Sequence, residues 1–307
     1  MKAVLVKPLE LIGRALPTTY LRIAAGIVAF MLLVGALGSL IAPYDALAQD
    51  SAHTFAGPSW SHLMGTDFLG RDTLSRLIVG ARPSLFSAVV AVVIGLVGGA
   101  IPGMASVLFS RRVEFVVMRF VDALMTIPPI VFAIAIVAGF GNGLPEAVVA
   151  IGVLMIPRFF RVVRAETLKH ASAQYVEAAT LFGASKPYVL RRHVWRKAVP
   201  TLGVVSASAL GYAVLGISGL AFLGLGEIAP QPSWGSMLSD DLTYLYQAPW
   251  AAMWPGVAIS LTVWALNALS DAAHTGLVRE AEVPVGTESE APETQDVGSV
   301  EPALQYV

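Results

Sequence analysis

The chain has 307 residues, of which 56% are hydrophobic and 13% charged, and its mean hydropathy is +0.70. That is too apolar for an ordinary soluble domain, and a formal net charge of -1 offers no basic surface for nucleic acid. The lack of any cysteine removes disulfides, thiolate metal sites and cysteine nucleophiles together.

Residues 1–20 form a leader carrying Lys2, Lys7 and Arg14, which reads as cytoplasmic. The apolar run that follows, Ile23 to Ile41, would be roughly 28 Å long as a helix, enough for the hydrocarbon core. A signal peptide has a shorter apolar core behind a briefer leader, so residues 21–43 read as a retained first transmembrane helix. Ala46-Leu47-Ala48 looks like a cleavage site, but small-residue triplets are common in alanine-rich chains. Residues 44–83 read as an extracytoplasmic loop. Within it Asp72 is a good N-cap, and Leu74, Leu77 and Ile78 form one apolar stripe, so a helix is expected along the outer interface before the chain turns into the second span.

Five further spans are expected over residues 84–272, at about Leu85–Phe109, Val116–Phe140, Ala147–Phe160, Leu202–Leu225 and Trp250–Leu269. The fold class is therefore an all-α membrane protein with six transmembrane helices. Gly95, Gly99 and Gly103 recur every fourth residue and give the second span a smooth strip for helix packing. Pro102, Pro128, Pro129 and Pro157 each remove a backbone donor and should kink their helices. Near the cytoplasmic end of the third span, Arg119 and Asp122 are three apart and suit a local ion pair. Arg158, Arg161 and Arg164 could line the inner mouth or anchor the fourth span.

Between the fourth and fifth spans lies a basic segment, about 166–200. In it Tyr175 to Phe182 is a run of good helix formers closed by Gly183, a natural C-cap. A second helix should begin near Ser185 and Pro187, with Leu190, Val194 and Ala198 on one face at i, i+4 and i+8. The glycines from Gly219 to Gly226 allow a sharp exit from the fifth span, and Trp234 suits an interfacial belt. The tail at 273–307 carries seven acidic residues from Glu280 onward and no basic ones there, which suits a disordered, solvated segment. Of the 20 lysines and arginines, 17 fall in the leader, the Arg111-Arg112 turn, the 158–197 segment or the tail, counting Arg22 and Arg119 at span ends. That bias places both termini in the cytoplasm; Arg71, Arg76 and Arg82 are the local exception.

Glu177-Ala178-Ala179 with Gly183, continuing to His193-Val194 and Pro200, resembles the EAA signature of permease subunits in binding-protein-dependent ABC importers. The resemblance departs at Trp195-Arg196, where that family usually has Leu-Pro. The outer-loop segment is more specific. Gly65-Thr66-Asp67-Phe68-Leu69-Gly70-Arg71-Asp72 and the residues after it to Leu85 are similar to the matching segment of dipeptide, oligopeptide and nickel permeases of the C type. A third block, Gly219–Gly226 with Pro230–Leu238, resembles the same subfamily, so the likeness covers most of residues 20–272. It implies a type I importer permease fold, with Glu177, Ala178, Ala179 and Gly183 coupling to a separate ATPase. It further implies two ATPase subunits or domains holding ATP and Mg, a second permease subunit and an extracytoplasmic substrate-binding protein. The chain itself would need no cofactor and no metal, and would be a multi-pass protein of a bacterial or archaeal cytoplasmic membrane. Peptide cargo is the expectation, with another peptide-like solute or a nickel chelate as the alternative.

Two other functional classes compete with this one. Gly216-Ile217-Ser218-Gly219 looks like the serine motif of an intramembrane protease, but no histidine falls inside a span to serve as its base. A channel would not need a rigid cytoplasmic coupling segment. No Gly-x4-Gly-Lys-Ser/Thr motif is present, so energy from ATP would have to come from a partner. No catalytic residue is assigned.

Overall fold

A computed structural model describes residues 19–282 apart from 109 and 172. The expected leader therefore lies almost wholly outside the described residues, as does the tail beyond 282. All the named elements are helical: α1 (Thr19–Ile41), α2 (Thr73–Ala105), α3 (Arg111–Thr126), α4 (Pro129–Phe140), α5 (Leu144–Ala171), α6 (Gln174–Leu181), α7 (Lys186–Val189), α8 (Trp195–Phe222), α9 (Trp234–Leu242) and α10 (Pro249–Glu282). Among the described residues four helices are long and apolar enough to cross a membrane, spanning 19–41, 73–108, 187–222 and 249–275. A fifth results if α3 and α4 are taken as one bent span.

The expected third span is broken. α3 and α4 meet at 95°, with Ile127 and Pro128 both in extended backbone (ψ 129 and 126). Each of these two residues precedes a proline, whose ring bars the helical conformation for the residue before it. At 12 residues α4 is about 18 Å long, too short to cross alone. α5, at the expected fourth span, is 28 residues long but carries Arg158, Arg161, Arg164, Glu166 and Lys169 in its second half, and does not reach the apolarity of the other four.

Three other boundaries differ from the sequence reading. No turn separates the expected interfacial helix from the second span, because α2 runs unbroken through Pro83. A proline removes one helical bond, and packing of the buried Ala81, Ser84 and Ala88 on either side holds the helix together. Likewise the helix after α6 runs into the fifth span without a break, through a π-helical segment, Leu190–Val194, so the span does not begin at Leu202. α10 continues to Glu282, so residues 273–282 are helical and not part of a disordered tail.

The core is built where α2, α5 and α8 cross. Lipid tails are as apolar as leucine, so membrane helices gain by close backbone approach at small residues more than by hiding apolar surface. Ala81, Ala91, Ala133, Ala147, Ala150, Ala209 and Ala213 are accordingly fully buried, with Phe159, Phe160 and Val163 filling the gaps. The glycine strip of α2 faces α5. A Cβ on Gly95 would sit 2.5 Å from Met155 Cβ, one on Gly99 2.6 Å from the Ile156 carbonyl oxygen, and one on Gly103 2.8 Å from that of Phe160. α1 lies against α2 and α10, with Gly38 over the Ile78 carbonyl and the Tyr20 ring edge-on to Trp264 at 5.3 Å.

Candidate functional site

The segment after α5 presents α6 with none of its residues buried. Its chief neighbour is the helical turn α7 that follows it. Glu177, in the first turn, complements the positive end of the helix dipole. Gly183 has φ +86°, and the C-terminus closes as a Schellman motif: Gly183 N–H donates to Thr180 O and Ala184 N–H to Ala179 O, both at 3.0 Å. Glu177 and Ala178 are exposed and Ala179 half-buried, while Leu181 and Phe182, at the helix end, are 83% and 92% exposed. Leu190, Val194 and Ala198 are buried, as their spacing suggests. Trp195 and Arg196 are ordinary helical residues, so the departure from the usual Leu-Pro leaves the helix continuous.

On the opposite end, residues 44–72 form a compact knot over the start of α2. Asp67 Oδ1 accepts from the backbone of Leu69 (2.9 Å) and Arg71 (3.0 Å), and Asp67 Oδ2 accepts from Arg71 Nε at 2.7 Å. Arg76 Nε lies 3.4 Å from the same oxygen, and Arg76 Nη1 donates to Ala46 O. Asp72 caps α2 through Ser75 N–H at 2.8 Å, while its other oxygen meets His62 Nδ1 at 2.9 Å. Thr66 receives the Ala56 N–H on its hydroxyl and donates that hydroxyl to His53 O. Thr66, Asp67, Arg71, Asp72 and Arg76 are all buried. Gly65 and Gly70 turn the chain at φ +75° and +72°, and a Cβ at Gly70 would fall 1.8 Å from Asp50 O. The six signature residues are thus brought together as a folding unit.

Several functional-looking residues have partners that local spacing does not disclose. Asp122 pairs with Arg161 at 2.5 Å and not with Arg119, which lies over the Phe115 ring. Arg164 pairs with Glu114, and Arg158 donates to Ser208 Oγ at 3.0 Å. The three arginines of α5 thereby tie it to α3 and α8. Trp234 is not at an interface: it is 1% exposed, its N–H donates to Ser84 Oγ and its indole Nε1–H to Leu77 O, both at 3.0 Å. A capping box between Ser233 and Ser236 starts the helix that Trp234 opens, and the partners of Trp234 lie on α2, far from it in the sequence. Ser218 is buried at the crossing of α8 and α9, where a Cβ on Gly235 would meet its carbonyl at 2.3 Å. This packing accounts for Ser218, whereas a Cβ on Gly216 would meet Ile151 of α5 at 3.0 Å and one on Gly219 would meet nothing within 4 Å.

Missed in the sequence was Asp241 on α9. It is 5% exposed, and burial pushes its carboxyl up to about 7, with the charge of Asp67 adding to the effect and Arg76 opposing it. Among the described residues no three metal-ligating side chains converge.

Comparison with known proteins gives a consistent result. The profile of the family described as "Binding-protein-dependent transport system inner membrane component" matches residues 91–283. The chain is 35% identical over 260 residues to the "Glutathione transport system permease protein GsiD" of Pectobacterium atrosepticum, covering 84% of this chain and 86% of that one. It is 37% identical over 255 residues to the protein of the same name from Escherichia coli O6:K15:H31, covering 83% and 84%. Among solved structures, "Inward facing conformations of the MetNI methionine ABC transporter" matches 63% of this chain and 91% of that chain with a TM-score of 0.50 at 18% identity, a likeness of fold.

Proposed function

Since the chain belongs to the binding-protein-dependent transport system inner membrane component family and is a permease subunit of an ABC importer of the peptide type, we propose that it forms half of a pore for small peptide-like solutes. Its partners are a related second permease, two ATPase subunits holding ATP and Mg, and an external substrate-binding protein. The proposed topology has six crossings, with α3–α4 and α5 as the third and fourth, and both termini in the cytoplasm of a bacterial cell.

The observation that carries this reading is α6: a C-capped helix with no buried residue, ending in the exposed apolar pair Leu181 and Phe182 and held clear of the helix bundle. An exposed apolar tip on a rigid mount suits insertion into a partner's groove. When ATP draws two motor subunits together, the two α6 helices move with them, and the paired permeases pass from an inward to an outward opening. The chain contributes no catalytic group; hydrolysis belongs to the motor subunits.

For cargo, the named relatives favour a glutathione-like tripeptide, while the outer-loop signature is shared with dipeptide and oligopeptide permeases. The direct test is to extract the tagged chain gently from its own membrane and identify its companions by mass spectrometry. ATPase and second-permease chains in comparable amounts are the expected result. The chain alone, or as a homo-oligomer with no ATPase, would sink the assignment.

A further inference from the structure

A cleft of about 120 Å3 opens at the outer end of the bundle, between the outer-loop knot, the exit from α8 and the start of α9. Its walls carry Arg71, Arg76, Glu227 and Asp240, with Gln231 and Ser239 between them. Burial raises the Asp240 carboxyl, while Arg76 and Arg71 act on it through space without forming an ion pair with it. Arg71 and Arg76 share the single carboxylate of Asp67, Arg71 through Nε alone and Arg76 through Nε while its Nη1 reaches Ala46 O. The Arg71 guanidinium lies over the Phe68 ring at 5.2 Å, and both arginines line the cleft with terminal nitrogens that donate no hydrogen bond among the described residues beyond the one to Ala46 O. On the facing side, Glu227 Oε2 is buried without a hydrogen-bond partner, and among the described residues neither Glu227 nor Asp240 has an ion-pair partner. Burial also raises the Glu227 carboxyl, as expected for an acid that lacks a cation.

A buried polar atom without a partner is costly, and an unpartnered Glu227 oxygen in a cleft with two arginines that share one carboxylate is most simply satisfied by a ligand bearing both signs. A metal ion is a poor fit, since no three ligating side chains converge here. The volume corresponds to about four waters, the bulk of one amino-acid head group and not of a whole peptide. We propose that this cleft takes the α-amino-acid head of a peptide-like ligand, its ammonium against Glu227 and Asp240 and its carboxylate against Arg71 and Arg76. The remainder of the ligand projects through the open side. The inference rests on the permease reading above and gives the permease its own contact with cargo, separate from that of the binding protein.

The test uses the complete importer in lipid nanodiscs without its binding protein, with γ-L-glutamylglycine as the probe and equilibrium binding as the readout. Acetylating the probe's amino group, or converting its α-carboxylate to the amide, should each weaken binding about tenfold or more, as expected when a charge-assisted hydrogen bond is removed. Glu227→Gln and Asp240→Asn should weaken the parent probe to a similar degree and leave the acetylated probe unaffected. Both side chains lie outside the outer-loop hydrogen-bond network, so these variants should assemble normally. Equal binding of parent and modified probes, or unchanged binding by both variants, overturns the proposal. So does loss of the second permease from Glu227→Gln preparations, which would make the cleft a contact between subunits. If the wild-type chain carries no ATPase at all, the permease reading itself has failed, and this is seen before any probe is added.

Discussion

Gly183 shows how much one backbone angle can carry. Its φ of +86° closes α6, yet no atom lies within 4 Å of where a Cβ would sit. A substitution there is strained by conformation and not by contact, at a cost of about 1–3 kcal/mol for a side chain that resists the left-handed region. Gly183→Val should therefore loosen the end of α6 and lower substrate uptake per ATP hydrolysed in proteoliposomes. Gly183→Asn, which tolerates that region, should retain most of it. Asp241 gives a second prediction. Its folded value of about 7 lies above the ordinary 3.8, so between those values the folded chain holds a proton that the unfolded chain has released. Stability consequently falls as pH rises through that window and levels off above it, by at most about 4 kcal/mol. Thermal unfolding should be higher at pH 5 than at pH 8, and Asp241→Asn should remove most of the difference. Neither effect depends on the cargo. Gly183 could be found from sequence because a C-cap is decided by its immediate neighbours. Asp241 could not, since the charges of Asp67 and Arg76 that act on it lie far from it in the chain.

At the scale of elements, the crossing of α2 and α5 is held by backbone proximity. Gly99→Leu would drive a Cβ to within 2.6 Å of both the Ile156 carbonyl oxygen and Phe159 Cβ, where neither backbone can yield cheaply. It should cost about 3 kcal/mol and strip folded permease from detergent extracts, as judged by size-exclusion profiles. Gly139→Leu on α4, with nothing within 4 Å of the added atom, is the matched control and should behave as wild type. The glycine period that marks this seam was legible because it is regular within one helix. The outer cap at Asp72 and the Leu190, Val194 and Ala198 face were legible for the same reason: each is written within a dozen residues. Trp234 and Asp122 were misread because their partners lie 150 and 39 residues away, where local spacing carries no information. The prolines announced a bend between α3 and α4, but not its size, which follows from two successive residues being forced into extended backbone.

For the whole molecule, the helix bundle and the exposed α6 behave as different classes of structure. Backbone amides of α2, α5 and α8 lie in a packed core, whereas those of α6 are protected only by one short helix. Hydrogen exchange should therefore be fast in α6 of the isolated chain and slow by at least tenfold once ATPase subunits are bound. Protection of α6 that is indifferent to the ATPase would separate this helix from energy transfer. That several apolar helices and one short exposed helix exist could be read from composition and period. Which of them cross unbroken could not, because helix ends inside a bilayer are decided by how neighbours cover the backbone groups that prolines leave open.

The unbroken run of α2 has a further consequence. Thirty-three residues make a rod about 50 Å long, with the Asp72 cap at one end and Gly103, against Phe160, near the other. A helix that continues through both Pro83 and Pro102 passes a tilt at one end on to the other. Whatever tilts the outer-loop knot tilts the inner contact in the same instant, so the two faces of the membrane share one clock here. Differences in timing between the faces must arise at the 95° break after Thr126 and in the short link between α5 and α6, the places where this chain can be out of step with itself.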